Sequence, residues 1–183
     1  MRTQQLAFID LETTGLEPDK HEIIEIGIVL VEQSISDEKK MKMEVLEEFE
    51  VKVKPEHIEN ADPVGLRINH YNEKDWLFAA DLQNALRTVS EKTKGAIMVG
   101  HNVAFDFAFL ENAFERLGIE NKMHYHKLDT ISIAFAKLYG HENIDKLSLR
   151  VLCEYLGIKN ARAHSALSDA RATLEVFQKL MEL

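Results

Sequence analysis

The sequence predicts an α/β fold in which a mixed central sheet is flanked by helices. Three segments near the N-terminus, "QLAFIDL", "HEIIEIGIVLVE" and "EEFEVKVKP", are apolar and β-branched with polar breaks, which is typical of strands. Helical patterns follow, interrupted by "GAIMVGHN" and "HYHKLDT", which we predict to be two short further strands. Consecutive strands followed by helices indicate one sheet with helices packed on it.

The first three strands are separated by two turn-rich connections. The turn "TTGLEPDK" joins the first strand to the second, and "SISDEKKMKM" is predicted to be a solvated hairpin connection between the second and third. In the third strand, Phe49, Val51 and Val53 alternate with polar residues, which favours the edge of a sheet.

The remaining patterns predict helices. From "DPVGLRINHYNEKDW" to "ADLQNALRTVSEKTK" the periodicity is helical, with Leu82, Leu86 and Val89 at spacings of four and three. The segment "VAFDFAFLENAFERLG" predicts a helix ending at Gly118. The segments "ISIAFAKLYG", "LSLRVLCEYLG" and "SALSDARATLEVFQKLMEL" predict three more helices.

The composition is that of an intracellular globular domain. The 183 residues suit one domain, 1–183, and the 45% hydrophobic content is ordinary. The lone cysteine, Cys153, cannot form an internal disulfide and is expected to be buried, so we expect a cytoplasmic protein. No export signal or membrane span is visible. The net charge of −9 argues against an extended basic surface for duplex nucleic acid, although not against a metal-loaded carboxylate site.

Two carboxylates interrupt the first strand. Asp10 and Glu12 are two residues apart, so their side chains project from the same face of the strand and repel each other unless a cation neutralises them. The alternative is a solvated face, but the apolar neighbours in "LAFIDL" favour the metal site. Ligands that are all oxygen favour a hard cation, Mg²⁺ or Mn²⁺.

Two later segments offer partners for this pair. Asn102 and Asp106 are four residues apart at the start of a helix, where they either join the site or only cap and charge-match the helix end. Asp169 flanks the apolar line of the last helix, with His164 five residues earlier, and in isolation both are better explained as exposed surface residues. Glu25 and Asp129 are interpreted as structural hydrogen-bonding groups.

Taken together, "FIDLETTG", "GHNVAFDFAFL" and "HSALSDA" resemble the three exonuclease motifs of the DnaQ-like superfamily of 3′–5′ exonucleases, in its DEDDh branch. "EIIEIG", "LDT" and "LSLRVLCEYLGI" also look like the family framework, so the resemblance covers nearly the whole chain. The pattern is similar to the exonuclease domain of the DNA polymerase III epsilon subunit and to the ribonuclease T group. The implied fold is ribonuclease H-like, a five-stranded sheet with three antiparallel N-terminal strands and parallel additions.

The resemblance implies the roles of five residues. It makes His164 the general base, and it gives two divalent cations, Mg²⁺ or Mn²⁺, the carboxylate ligands Asp10, Glu12, Asp106 and Asp169. It also implies substrate contacts by Thr13, Thr14, Leu16, Asn102 and Phe105, although Leu16 and Phe105 suit plain core positions equally well. Where much of the family has an "HGI"-like element, this chain has "GLRINHYNEKDW".

The implied activity is removal of nucleoside 5′-monophosphates from 3′ ends of single-stranded DNA. The alternatives are a 3′–5′ exoribonuclease acting on RNA, as ribonuclease T or oligoribonuclease does, and a non-catalytic nucleic-acid-binding domain. The expected partners are therefore single-stranded DNA or RNA 3′ ends and no membrane. The chain shows no polymerase-binding tail after its last helix, so we expect a free-standing nuclease.

Overall fold

A five-stranded mixed sheet forms the centre of the protein in the computed structural model, which describes residues 4–35, 41–142, 144–160 and 165–183. The spatial order of the strands is β3-β2-β1-β4-β5. The first three pair antiparallel, and β4 and β5 add in parallel. The predicted fold class is confirmed. The strands are β1 Leu6–Thr13, β2 Ile23–Ile35, β3 Met41–Lys52, β4 Ile97–Gly100 and β5 Lys127–Asp129.

In the described part of the chain, helices pack on both faces of this sheet. The predicted end of one helix at Gly118 is confirmed, since that residue adopts the left-handed conformation that glycine tolerates best. No helix among the described residues is both long enough and apolar enough to cross a membrane. The helices are α1 Pro63–Ile68, α2 Leu82–Lys92, α3 Val103–Leu117, α4 Thr130–Leu138, α5 Leu149–Leu156 and α6 Ala166–Glu182.

Strand β1 lies in the middle of the sheet and is buried on both faces, which explains its nearly continuous apolar sequence. Its odd-numbered residues, such as Ile9 and Leu11, join the core formed with α2 and α3. Its even-numbered residues face the other way, where Phe8 packs edge-on against Phe177 of α6 at 5.5 Å between ring centroids. Asp10 has the same parity as Phe8 and therefore points to the face that α6 covers.

The hairpin between β2 and β3 is longer than predicted. Ile35 pairs with Met41, so both ends of the segment predicted as a solvated connection are strand, and its middle, 36–40, lies outside the described residues. The side chains at these strand ends are exposed, so they do not mark a buried face. The strands nevertheless stay paired, because an antiparallel ladder is held by backbone hydrogen bonds that form whatever the side chains are.

The first predicted helical stretch is also corrected. Within "DPVGLRINHYNEKDW" only Pro63–Ile68 is α-helical, capped by Asp62, whose carboxylate accepts the Val64 N–H at 2.8 Å. The chain then turns through His70, which has a positive φ of 52°, and Trp76 is buried with its indole N–H donating to the Ile24 carbonyl at 2.9 Å. Trp76 thus anchors a loop to β2, whereas the helical periodicity of Leu82, Leu86 and Val89 belongs to α2.

We expect Phe177→Ala to lower the free energy of unfolding by about 3–5 kcal/mol, because it empties the contact between α6 and β1. The matched control is Phe78→Ala, which removes a ring that is 95% exposed and should change stability by less than about 0.5 kcal/mol. Urea unfolding followed by circular dichroism measures both. Equal stability of the two variants would contradict the packing of α6 on the sheet.

Candidate active site

Three of the four predicted carboxylate ligands meet on the face of the sheet that α6 covers. Asp10 and Glu12 come from β1, and Asp169 comes from the first turn of α6. Each of the three offers one carboxylate oxygen, and these atoms all lie within 4.8 Å of one another. Glu12 is only 7% exposed, and the other two are half-buried. The sequence predicts that Asp10 and Glu12 meet Asp169, which lies 157 residues after Glu12. The structure brings these three side chains together.

Asp106 approaches the same strand from α3. It is buried, and its Oδ1 accepts the backbone N–H of Leu11 at 3.0 Å. Leu11 lies between Asp10 and Glu12, so this bond fixes the first turn of α3 against the end of β1 that carries the cluster. Asp106 is not part of the 4.8 Å trio, yet its negative charge raises the pKa of Asp10.

Burial and mutual repulsion make these carboxylates hard to ionise. Burial first, then the charges of Asp106, Asp169 and Glu12, raise the pKa of Asp10 well above its ordinary value. Burial first, then the charges of Asp169, Glu25 and Asp106, raise the pKa of Glu12 to about 8. The pKa of Asp106 rises to about 7 through burial, against the opposing effect of the Leu11 hydrogen bond. A divalent cation among them would offset this penalty, because opposite charge favours the ionised form.

The donor set fits a hard divalent cation. All three clustered atoms are carboxylate oxygens, with no cysteine or histidine among them in the described part of the chain. Mg²⁺ and Mn²⁺ prefer such ligands, whereas zinc sites usually include nitrogen or sulfur.

Asp169 has a supporting partner that sequence reasoning missed. The Asn160 side-chain amide donates to the Asp169 carboxylate, and the Ser168 hydroxyl donates to the side-chain oxygen of Asn160, Oδ1, at 2.9 Å. Asn160 lies nine residues before Asp169, outside the motif, so no spacing rule pointed to it. Such bonds orient a carboxylate toward the ion that it would hold.

Glu25 and Asp129 act as structural hydrogen-bonding groups, as predicted. Glu25 faces Glu12 across the β1–β2 ladder, and its Oε1 accepts the Ala166 N–H at 2.8 Å. Asp129 caps α4 by accepting the Ile131 N–H at 2.8 Å, and it also accepts the Asn102 N–H at 3.3 Å. Asn102 occupies the position before α3 with a positive φ of 67°, but its side chain makes no capping bond.

A cleft of about 290 Å³ opens beside Glu12. Three of the five predicted substrate contacts, Thr13, Leu16 and Phe105, line it. Leu16 is 76% exposed, so it is a wall of the cleft and not a core residue. The full lining is Leu11, Glu12, Thr13, Gly15, Leu16, Asp62, Val64, Gly65, Ile68, Asn69 and Phe105.

The other two predicted contacts lie elsewhere. Asn102 is absent from the cleft lining, and so is Thr14. Thr14 is 1% exposed, and its hydroxyl accepts the Glu22 N–H at 2.8 Å. The hydroxyl of Thr13, by contrast, is a donor, to the Gly15 carbonyl at 2.7 Å. These two hydroxyls shape the turn after β1, while their contact with substrate stays a prediction.

Helix α1, which begins the region where the chain departs from the family's "HGI"-like element, forms another wall of the cleft. The Asn69 side-chain amide donates to the Thr13 carbonyl at 2.8 Å, and the Asp62 N–H donates to the Thr14 carbonyl at 2.7 Å. Ile68 and Val64 add apolar surface. The sequence signals the helix through Asp62 and Pro63 at its start, but its place over the turn is set by these long-range bonds.

His164, the predicted general base, lies outside the described residues. Its position in the chain is two residues before α6, whose first turn carries Asp169.

A family comparison decides what kind of domain carries this cluster. The family model described as Exonuclease matches residues 7–177, nearly the whole chain. The chain belongs to the exonuclease family. The resemblance to DnaQ-like exonucleases read from the three motifs is confirmed, and so is the prediction of an exonuclease domain.

Relatives of this exonuclease-family chain include much longer proteins. The PolC-type DNA polymerase III of Caldanaerobacter subterraneus subsp. tengcongensis is 30% identical over 183 residues, which cover 97% of this chain and 12% of the relative. The chain thus spans about an eighth of the length of the curated relatives that it matches.

Solved structures share the fold. Escherichia coli exonuclease I in complex with a dT13 oligonucleotide superposes with a TM-score of 0.74 at 19% identity, covering 96% of this chain and 40% of that one. The zinc-bound complex of the same enzyme with single-stranded DNA gives a TM-score of 0.76 at 20% identity, with the same coverage.

We expect Glu12→Gln to stabilise the exonuclease-family domain in EDTA at about pH 8. Folded Glu12 holds its proton up to about pH 8, whereas an ordinary glutamate ionises near pH 4.5. Between these values the folded state binds more protons than the unfolded state, so wild-type stability falls as pH rises. The glutamine removes this loss while keeping the shape of the side chain.

The same variant should gain less from Mn²⁺, because it has lost a ligand. Thermal unfolding midpoints at about pH 5, 6.5 and 8, with EDTA or with Mn²⁺, measure both effects. A Glu12→Gln midpoint that follows the wild-type curve under every condition would contradict a crowded, cation-binding carboxylate at this position.

Proposed function

We propose that the chain is a metal-dependent 3′–5′ exonuclease that removes nucleoside 5′-monophosphates from the 3′ ends of single-stranded DNA. The carrying observation is that the oxygens of Asp10, Glu12 and Asp169 lie within 4.8 Å of one another beside a cleft that Glu12 also lines. A scissile phosphate next to the clustered oxygens would leave its terminal nucleotide in that cleft.

The carboxylates would hold two divalent cations, with Asp10 central among them. Asp10 neighbours Glu12 and Asp169 in the cluster and interacts electrostatically with Asp106, so it is suited to share its carboxylate between two ions. Bound Mg²⁺ or Mn²⁺ would neutralise the phosphate oxygens, lower the pKa of a water molecule and stabilise the leaving 3′ oxygen. The hydrogen bonds that Asp106 and Asp169 accept would keep the protein ligands oriented.

His164 would take the proton of the attacking water. An unperturbed imidazole titrates near pH 6.5, so an acceptor form is available at neutral pH. Its place just before α6 keeps it within two residues of the helix whose first turn carries Asp169.

The cleft would receive the terminal nucleotide without reading its sequence. Leu16, Ile68 and Phe105 offer apolar surface to the base, and such contact accepts every base because each has an apolar face. Its polar groups, the carboxylate of Asp62 and the amide of Asn69, are close to the turn after β1 and already bond to the backbone. A pocket of this kind suits single-stranded 3′ ends.

DNA is the favoured substrate. The long relatives are named as DNA polymerases, and the similar exonuclease I structures are titled as complexes with single-stranded DNA. These are properties of those proteins, and they support DNA here over RNA. The buried single thiol, Cys153, supports a reducing compartment, and we place the enzyme in the cytoplasm.

Purified protein with Mg²⁺ or Mn²⁺ should shorten 5′-labelled single-stranded DNA from its 3′ end and should act more slowly on RNA of the same sequence. Asp10→Ala should abolish the activity, and His164→Ala should lower kcat by roughly 10²–10⁴-fold while Mn²⁺ binding persists. Denaturing gels and chromatography of the released mononucleotides measure these outcomes.

Four results would decide against parts of the proposal. A folded protein that shortens neither strand with either metal would sink the exonuclease, and tight binding without turnover would favour the non-catalytic alternative. RNA cleaved faster than DNA would favour the exoribonuclease. Full activity of Asp10→Ala would reveal a contaminating nuclease.

Leu16→Ala should raise KM for oligonucleotides several-fold with little change in kcat, because it removes apolar surface that contacts the terminal base in both ground and transition states. Leu77→Ala is the matched control, since Leu77 is comparably exposed, at 70%, but does not line the cleft. Steady-state kinetics compare them. Equal KM values for the two variants would place the terminal nucleotide outside this cleft.

A further inference from the structure

Helix α6 begins without help from its own N-cap residue. The first amides of a helix have no partner within the helix and usually bond to a nearby serine, threonine or aspartate. Ser165 is in that position, yet its side chain makes no capping bond, and its hydroxyl donates to Glu50 at 3.3 Å. The amide of Ala166, the first helical residue, instead donates to Glu25 Oε1 at 2.8 Å in a buried bond. The partner therefore comes from strand β2, 141 residues earlier.

The backbone of α6 also rests directly on β2. A Cβ atom placed on Gly27 would lie 2.2 Å from both the Ala166 carbonyl carbon and the Leu167 nitrogen. Real Cβ atoms do not come so close to backbone, so any other residue at this position would push the start of α6 away from the sheet. Gly27 is required here by close approach and not by its backbone torsion angles.

The register of the β1–β2 ladder connects this contact to the carboxylate cluster. Glu25 is the cross-strand partner of Glu12, and Gly27 is the partner of Asp10. The two residues that receive the start of α6 are therefore the immediate neighbours of the two β1 carboxylates. Asp169 is three residues after Ala166, and its N–H donates to the Ser165 carbonyl at 3.0 Å, so it belongs to the same rigid first turn.

We propose that Glu25 is a positioning residue of the metal site, which holds the first turn of α6 on β2 so that Asp169 meets Asp10 and Glu12. Gly27 supplies the clearance for that contact. Glu25 itself does not bind the cations in this inference; it acts by accepting the Ala166 N–H. The inference rests on the proposed metal-dependent function, since it assigns a role toward the ions which that function requires.

The test compares four variants by Mn²⁺ binding, which is independent of nuclease activity. Glu25→Ala removes the acceptor, Glu25→Gln keeps an oxygen that accepts the same N–H, and Gly27→Ala adds the methyl group that would displace α6. The control, Asp81→Ala, removes a carboxylate that caps α2 by accepting the Asn84 N–H at 2.8 Å. This control variant also loses a helix cap, but on a helix that carries no candidate metal ligand. Titration calorimetry measures Mn²⁺ affinity, and thermal unfolding in EDTA measures stability.

Glu25→Ala and Gly27→Ala should weaken Mn²⁺ binding by roughly 10–100-fold, the usual effect of removing a group that orients a metal ligand. Glu25→Gln should bind Mn²⁺ with an affinity close to that of wild type. Asp81→Ala should unfold at a lower temperature and yet bind Mn²⁺ as wild type does. In the folded variants with weakened binding, kcat should fall at limiting Mn²⁺ and recover in part as Mn²⁺ is raised.

Three outcomes would overturn the inference, and a fourth would reject only the proposed function. If Glu25→Ala loses stability as Asp81→Ala does but keeps wild-type Mn²⁺ affinity, the role of Glu25 is purely structural. If Glu25→Ala does not fold, the Mn²⁺ affinity of Gly27→Ala answers the same question. Glu25→Gln that is impaired as strongly as Glu25→Ala would show that charge, not the bond to Ala166, matters. Wild-type Mn²⁺ binding without nuclease activity would reject the proposed function alone, and the comparison among variants would still be readable. No Mn²⁺ binding by the wild type would reject both.

Discussion

Asp10, Glu12 and Asp169 hold carboxylate oxygens within 4.8 Å of one another, and Glu12 is buried while the other two are half-buried. Their repulsion, added to the cost of burial, opposes ionisation and raises the pKa values of Asp10 and Glu12. A folded chain tolerates such crowding only if its packing elsewhere enforces it. A divalent cation converts the same crowding into a binding site, because each charge that repels its neighbours attracts the ion.

Two long-range hydrogen bonds to the sheet, called tethers below, hold the carboxylates close together. On one side, Asp106 accepts the Leu11 N–H and fixes the start of α3 to the middle of the acidic stretch of β1. On the other, Glu25 accepts the Ala166 N–H and fixes the start of α6 over β2. Burial of apolar side chains such as Phe8 and Phe177 stabilises the helix on the sheet, and the tethers set where along the sheet each helix begins.

The sequence predicted what short patterns encode. Alternation and apolar runs placed the strands, Gly118 marked a helix end, and the two-residue spacing put Asp10 and Glu12 on one face, all of which the structure shows. The family motifs added Asp169 to them.

What the sequence did not predict depends on contacts between distant residues. Asn69 bonds to Thr13 across 56 positions, and Glu25 bonds to Ala166 across 141, so no local pattern reports either. The burial of Thr14 and its bond to Glu22 follow from the fold of the turn, and its contact with substrate stays a prediction. The longer hairpin escaped prediction because the paired Ile35 and Met41 are exposed and flank the charged run "SDEKK", although Met41, Met43 and Val45 do alternate with polar residues.

The central claim is that the crowded carboxylates of β1 and α6 form a cation site. A crystal grown with Mn²⁺ and a nucleoside 5′-monophosphate, with anomalous diffraction recorded at the manganese edge, tests it most directly. The account predicts anomalous density in contact with the carboxylates of Asp10, Glu12 and Asp169, and the nucleotide base in the cleft beside Leu16. Well-ordered carboxylates with no anomalous density among them, at Mn²⁺ concentrations that support catalysis, would contradict it.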